Sequence, residues 1–215
     1  MGTVIWDWNG TLLNDLDLCV STINKLLKKR KLPLLDHFSY KEAFSFPVKN
    51  YYQNIGFDFS KEDFEVPAGE FISIYHEKVK ECPLHPSARN VLSYFKENGA
   101  RQFVLSAMKQ TMLHKTLEHN NISHYFEAVA GLNDHYANSK VDRGKQLINE
   151  FKIDIQNACI IGDTDHDFEV AKTLGIKCIL VADGHQTKKR LKNTGATVIN
   201  SLENLINYNL LNVCN

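Results

Sequence analysis

A chain of 215 residues with 43% hydrophobic content has room for one domain with an insertion, or two small domains, around a proper core. Lys and Arg total 25 and Asp and Glu total 25, which excludes non-specific attraction to nucleic acid or an anionic membrane and leaves any anion affinity to be local. The cysteines, Cys19, Cys82, Cys159, Cys178 and Cys214, are scattered, odd in number and without C-x-x-C spacing, so reduced thiols are expected. With no apolar run long enough to cross a bilayer and an N-terminus that enters a β-type run almost at once, a cytoplasmic protein without a membrane partner is expected.

The chain opens on Thr3-Val4-Ile5-Trp6, β-prone residues that run into Asp7, and Asn9-Gly10-Thr11 then turns the chain before Leu12-Leu13. This pattern predicts a strand that delivers Asp7 to the carboxyl edge of a sheet, where open α/β folds bind ligands. Over 14–30, Leu16, Cys19, Val20, Ile23, Leu26 and Leu27 recur at helical steps before the basic run Lys28-Lys29-Arg30-Lys31, predicting an amphipathic helix. Residues 35–82 read as helical and aromatic, are broken by Pro47, Gly56 and Pro67, and show no strand pattern. A small helical unit over 14–83 is expected. Most of its aromatic residues would form its core, with a few among Phe46, Lys49, Tyr51 and Tyr52 lining a cleft.

From Pro83 the text alternates. A helix over 88–95 stops at Asn98-Gly99, and a strand over 101–105 runs into Ser106. A helix over 110–120 leads to a strand over 126–130, and a helix over 142–151 to a strand over 158–161 that meets Gly162-Asp163-Thr164-Asp165-His166-Asp167. A helix over 168–174, strands over 177–181 and 197–199, a short helix over 188–192 and a final helix from Leu202 complete the series. Such alternation predicts an α/β protein, a parallel sheet with helices on both faces. The strand ends carrying Asp7, Ser106, and Asp163 with Asp167 then face one way. Several carboxylates in a small volume call for a cation, and hard oxygen donors suit Mg²⁺. Lys140 precedes a helix on the same side and could meet a phosphoryl group, with Lys145, a turn into that helix, as its rival.

Asp7-Trp8-Asn9-Gly10-Thr11 matches the pattern D-x-D-x-T at Asp7 and Thr11, and it is followed by Ser106, Lys140 and Gly162-Asp163-x-x-x-Asp167 in order. With a helical insertion after the first strand, these residues resemble the signatures of the haloacid dehalogenase superfamily of phosphohydrolases. The branch is that of phosphoglycolate phosphatase and β-phosphoglucomutase, which carries a helical cap. The resemblance implies a Rossmann-like parallel core formed by 1–13 and 84–215 and a cap formed by 14–83. It implies Asp7 as a nucleophile that forms an aspartyl-phosphate, later hydrolysed by water. Mg²⁺ would be held by Asp7, the backbone carbonyl of Asn9 and Asp163, with Asp167 as a ligand or orienting group. Ser106 and Lys140 would grip the phosphoryl oxygens, and Thr11 would orient the loop. The substrate implied is a small phosphorylated metabolite.

Asn9 departs from that pattern. The family's phosphatases carry there a second Asp that protonates the leaving oxygen, and an amide cannot trade a proton near neutral pH. Alkyl phosphates would suffer most, acyl and aryl phosphates least, and Asn9→Asp is expected to raise turnover of alkyl phosphates. His135, His166 and His185 could supply a proton, although each also reads as an ordinary loop or helix residue. A dehalogenase proper would tolerate the missing Asp but has little use for Asp163 with Asp167. A receiver domain lacks the insertion. The alternative to an enzyme is a catalytically weakened binder of a phosphorylated ligand or protein partner.

Overall fold

Strands buried on both faces by near-continuous apolar runs pair in parallel, and this chain follows that rule. A computed structural model describes residues 2–132 and 140–207. Strands β1 (Thr3–Trp6), β2 (Arg101–Lys109), β3 (Ala128–Leu132), β4 (Ala158–Gly162), β5 (Lys177–Val181) and β6 (Thr197–Ile199) form one parallel sheet in the order β3-β2-β1-β4-β5-β6. Strand β1 is central, with Thr3 opposite both Arg101 and Ala158, so the residues that follow Trp6 emerge between the ends of β2 and β4.

Alternate residues of β1 go to opposite faces, as a pleated strand requires. Val4 and Trp6 pack in a core cluster with Val91, Leu92 and Phe95 of helix α5 (Ala88–Glu97), while Ile5 packs in another with Leu147 of α7 (Lys140–Phe151) and Val170 and Leu174 of α8 (Asp165–Leu174). Helices therefore cover both faces, each fully buried aliphatic or aromatic side chain contributing roughly 1.5–3 kcal/mol. Trp6 meets Phe95 edge to face at 5.6 Å, and its indole donates to Gln102 Oε1 at 3.0 Å.

Between β1 and α5 lie α1 (Leu16–Lys29), α2 (His37–Ala43), α3 (Val48–Asn54) and α4 (Glu65–Lys78). Helix α1 packs on α4, and Arg30 bridges Glu62 at 2.6 Å and Glu70 at 3.0 Å. Helices α6 (Gln110–His119), α9 (Lys188–Lys192) and α10 (Asn204–Asn207) complete the described α-helices. None of the described helices is long and apolar enough to cross a membrane. The four described cysteines are free thiols, and Cys214 lies outside the described residues.

Some element boundaries differ from those read in the sequence, and the differences fall around the site. Strand β2 continues past Ser106 to Lys109, its pairing with β3 shifting register between Leu105 and Lys109. Helix α7 begins at Lys140 instead of 142. Helix α8 begins at Asp165 instead of 168, because Thr164 and Asp167 form a capping box that starts it three residues earlier.

Candidate active site

Asp7 continues β1 by one residue: its N–H donates to the Ile161 carbonyl at 2.8 Å. The chain then turns back, with the Trp8 carbonyl accepting from the N–H groups of Leu12 and Leu13 at 3.1 and 2.9 Å. Gly10 makes that turn with φ +73°, and a Cβ built there would collide with the Asp163 carboxylate and the His185 ring. The loop can therefore lie directly against Asp163.

Asp163 follows β4 and is fully buried. Its Oδ1 accepts from Thr11 Oγ1 at 2.8 Å and its Oδ2 from the His185 N–H at 2.7 Å. Asp167 lies in the first turn of α8, where Oδ2 accepts from the Thr164 N–H at 3.0 Å and the Thr164 hydroxyl at 2.7 Å. Its Oδ1 accepts from Lys140 Nζ at 2.6 Å, and the same ammonium donates to Asp7 Oδ1. The carboxylate oxygens of Asp7, Asp163 and Asp167 lie within 4.8 Å of one another.

One ammonium cannot neutralise this set. Burial pushes the Asp7 carboxyl up to about 8, Lys140 opposing the shift while Asp167 and Asp163 add repulsion. Burial lifts Asp163 to about 6, against the charge of His185. Asp167 lies below the ordinary carboxylate range, because Lys140 and Thr164 outweigh the burial penalty. Burial also works against the Lys140 charge, but Asp167 and Asp7 hold the ammonium above its usual range. A hard divalent cation bound among these oxygens would favour the ionised forms of Asp7 and Asp163.

Asp15, unlike Asp7 or Asp163, carried no signal in the sequence. It stands at the N-terminus of α1 but makes no capping bond there. Its carboxylate turns back to accept from the Gly10 N–H at 2.9 Å, Asn9 Nδ2 at 2.9 Å and the Tyr75 hydroxyl at 2.6 Å, and it pairs with His185 Nε2 at 3.1 Å. Burial opposes its charge, yet His185, Tyr75 and Asn9 bring it down to about 2. Burial likewise opposes the His185 charge, and Asp15 and Asp163 lift that imidazole to about 9. Asn9 Nδ2 also donates to the Tyr75 hydroxyl at 2.6 Å, so both amide hydrogens of Asn9 are committed. These partners lie 60 and 170 residues from Asp15, a separation that no local pattern encodes.

Lys140 thus enters the carboxylate cluster. Lys145 does not: its side chain is 57% exposed and pairs with Asp142 at 3.8 Å. His166 stacks on Phe46 at 4.6 Å, and burial lowers its affinity for a proton. His135, Asn138 and Ser139 lie outside the described residues. Ser106 sits at the irregularity of β2, its hydroxyl accepting from the Met108 N–H at 3.1 Å. A cavity of about 540 Å³ opens beside the cluster. Its wall includes Asp7, Ser106 and Lys140 together with Phe46, Tyr51 and Tyr52 from the inserted helices. Lys49 is not in that wall; its ammonium lies over the rings of Phe59 and Phe64 at 5.7 and 6.0 Å.

The chain is similar to known proteins. A family model described as haloacid dehalogenase-like hydrolase matches residues 4–181. The chain is 25% identical over 202 residues to the "Probable phosphatase IndB" of Dickeya dadantii, covering 91% of this chain and 87% of that protein. It is 23% identical to the "Phosphoglycolate phosphatase" of Aquifex aeolicus, covering 86% of each. A solved structure described as a predicted phosphatase from Clostridium acetobutylicum superposes with a TM-score of 0.82 at 23% identity, over 97% of this chain and 98% of that one. A predicted phosphoglycolate phosphatase from Haemophilus somnus does so with a TM-score of 0.75 at 17% identity, again over 97% and 98%. At these identities the structural likeness is one of fold.

Proposed function

The chain belongs to the haloacid dehalogenase-like hydrolase family, and on that premise we propose that it is a Mg²⁺-dependent phosphatase working through an aspartyl-phosphate on Asp7. Its substrate is a small phosphorylated metabolite. The observation that carries the reading is the convergence of Asp7, Asp163, Asp167 and Lys140 at the sheet's carboxyl edge, with Asp7, Asp167 and Lys140 lining one cavity. Phosphatases among the sequence relatives support the reaction class.

Asp7 is the nucleophile. A carboxylate oxygen attacks phosphorus, the bond from phosphorus to the leaving oxygen breaks with its electron pair, and water later cleaves the acyl phosphate to regenerate Asp7. Lys140, anchored on Asp167, holds the attacking carboxylate and offers positive charge to the phosphoryl oxygens. Ser106 supplies a hydroxyl at the same wall. Asp7, Asp163 and the Asn9 backbone carbonyl would hold Mg²⁺, with Asp167 as a further ligand or as the anchor of Lys140. Three crowded carboxylates, two of them lifted by burial, suit such a cation. Bound there, Mg²⁺ supplies charge neutralisation and polarises a phosphoryl oxygen. Thr11 keeps Asp163 oriented. Asn9 cannot act as proton donor, so leaving groups that depart unprotonated are favoured. Residues 14–83 act as the cap over a core of 1–13 and 84–215.

The test is a phosphatase panel of acetyl phosphate, an aryl phosphate and glycerol phosphate, with and without Mg²⁺, run on wild type and Asp7→Asn. Mg²⁺-dependent hydrolysis of the first two is expected, and its loss by ~10³-fold or more in Asp7→Asn. A wild type inactive on all three would leave only the reading of a ligand-binding protein, and an equally active Asp7→Asn would remove Asp7 from the chemistry.

A further inference from the structure

The cavity beside Asp7 is far larger than a phosphoryl group, and its far wall comes from the inserted helices. That wall is built from Phe44, Phe46, Tyr51, Phe64, Phe71 and Ile72 among others. The charged side chains that residues 14–83 give to it are Asp15 and Glu65, both acids. Among the described residues, that segment gives it no Lys, Arg or His. The wall's cations, Lys140, Lys109 and His185, all come from the sheet's half of the protein, as does the neutral imidazole of His166. Lys140 is committed to Asp7 and Asp167, and His185 to Asp15. A leaving group with its own carboxylate or second phosphate would meet Glu65 and no cation where the inserted helices face it, Asp15 being matched by His185, at a desolvation cost that nothing there offsets.

The aromatic wall favours a flat partner. Phe44 sits edge to face with Phe46 at 5.5 Å and with Tyr51 at 5.4 Å, presenting both ring faces and ring edges. Tyr51 is 2% exposed, and its buried hydroxyl has no hydrogen-bond partner among the described residues, so the wall behind Phe44 stays uncharged. Asn9 bears on the same question independently. With both amide hydrogens taken by Asp15 and Tyr75, it offers the leaving oxygen no proton. A phenolic oxygen, ionising near pH ~10, departs unaided far more readily than an alkyl oxygen, which resembles water at ~16.

We propose that the substrates are phosphate monoesters of uncharged aromatic alcohols, joined to phosphorus through a phenolic oxygen, with the ring seated against Phe44 and Phe46. This rests on the phosphatase reading above and names its substrate class. The bond from Asp7 to phosphorus forms as the aryl oxygen–phosphorus bond breaks, the electron pair leaves on the phenolate, and solvent protonates it. Water then releases inorganic phosphate.

The experiment compares 1-naphthyl phosphate, acetyl phosphate and phosphoglycolate with Mg²⁺ present, in wild type and Gly69→Trp. Gly69 lies on α4 in the cavity wall, where an added Cβ meets nothing within 4 Å, so a large side chain can be added at that wall without displacing its neighbours. The expected result is a KM for 1-naphthyl phosphate at least ~10-fold below that for acetyl phosphate, and a kcat/KM ~100-fold or more above that for phosphoglycolate. Gly69→Trp should lower the ratio of naphthyl to acetyl turnover by at least ~5-fold. Hydrolysis of acetyl phosphate with phosphoglycolate equal to or better than 1-naphthyl phosphate would overturn the aryl assignment and leave the phosphatase reading standing. No hydrolysis of any of the three would remove both.

Discussion

Asn9 and Asp15 act as a unit: the amide gives a hydrogen to the carboxylate at 2.9 Å, and Tyr75 bridges the two. Putting the missing acid back is therefore not a single change. Asn9→Asp sets a second carboxylate against one that His185 keeps ionised, and the variant is expected to lose about 1–3 kcal/mol of stability at pH 7 by urea unfolding. The swap Asn9→Asp with Asp15→Asn keeps the cluster's charge. It should recover most of that loss, and the gain in alkyl phosphate turnover should appear in the double variant. Additive losses would show that the two side chains do not act together. Asp7, Thr11, Ser106, Lys140, Asp163 and Asp167 were legible in the sequence because each follows or precedes a strongly patterned element. Asp15 was not, since at the start of a helix it reads as a cap, and its partners come from α4 and from the loop after β5.

At the level of elements, the alternation from Pro83 onward was readable from apolar runs, and the strands over 177–181 and 197–199 fall where the sequence placed them. The starts of α7 and α8 were not. Gly162 to Asp167 reads as one acidic loop, yet Thr164-Asp165-His166-Asp167 is also a capping-box pattern, and it folds as the first turn of α8. The same turn fixes Asp167 opposite Lys140. The inserted helices are tied to the sheet by the loop after β5. The Phe44 carbonyl accepts from Gln186 Nε2 at 3.2 Å and from Arg190 Nη1 at 2.9 Å, and Thr187 donates to Glu42 at 2.6 Å. Arg190 also pairs with Asp165 at 2.7 Å. Arg190→Ala should therefore speed amide hydrogen exchange across 37–47 and raise KM several-fold, with kcat and global stability changing by less, about 1 kcal/mol for the latter. Unchanged exchange there would mean that this latch does not hold the inserted helices.

Across the whole molecule, the carboxylate cluster is expected to make stability depend on pH and, with the proposed Mg²⁺, on metal. Asp7 and Asp163 have folded-state pKa values raised to about 8 and about 6, above the ordinary 3.8. Each therefore contributes most to stability below its unfolded pKa, and the contribution is lost as pH rises through the folded value. The Asp15–His185 pair is fully stabilising between about 3.8 and 6.5, fading as pH falls through about 2 or rises through about 9. The metal-free protein should accordingly melt at a lower temperature at pH 8 than at pH 5.5. Mg²⁺ at ~100 times its Kd should stabilise by about 2.7 kcal/mol and raise Tm more at pH 8 than at pH 5.5, since the cation binds the ionised carboxylates. Equal shifts at both pH values in a melting assay would count against Asp7 and Asp163 as its ligands. Covalent chemistry at Asp7 is read directly by rapid acid quench of the enzyme turning over a ³²P-labelled acyl or aryl phosphate. Alkali-labile label is expected on the peptide that contains Asp7 and none in Asp7→Asn. Steady Mg²⁺-dependent turnover with no label on that peptide would contradict a covalent step at Asp7.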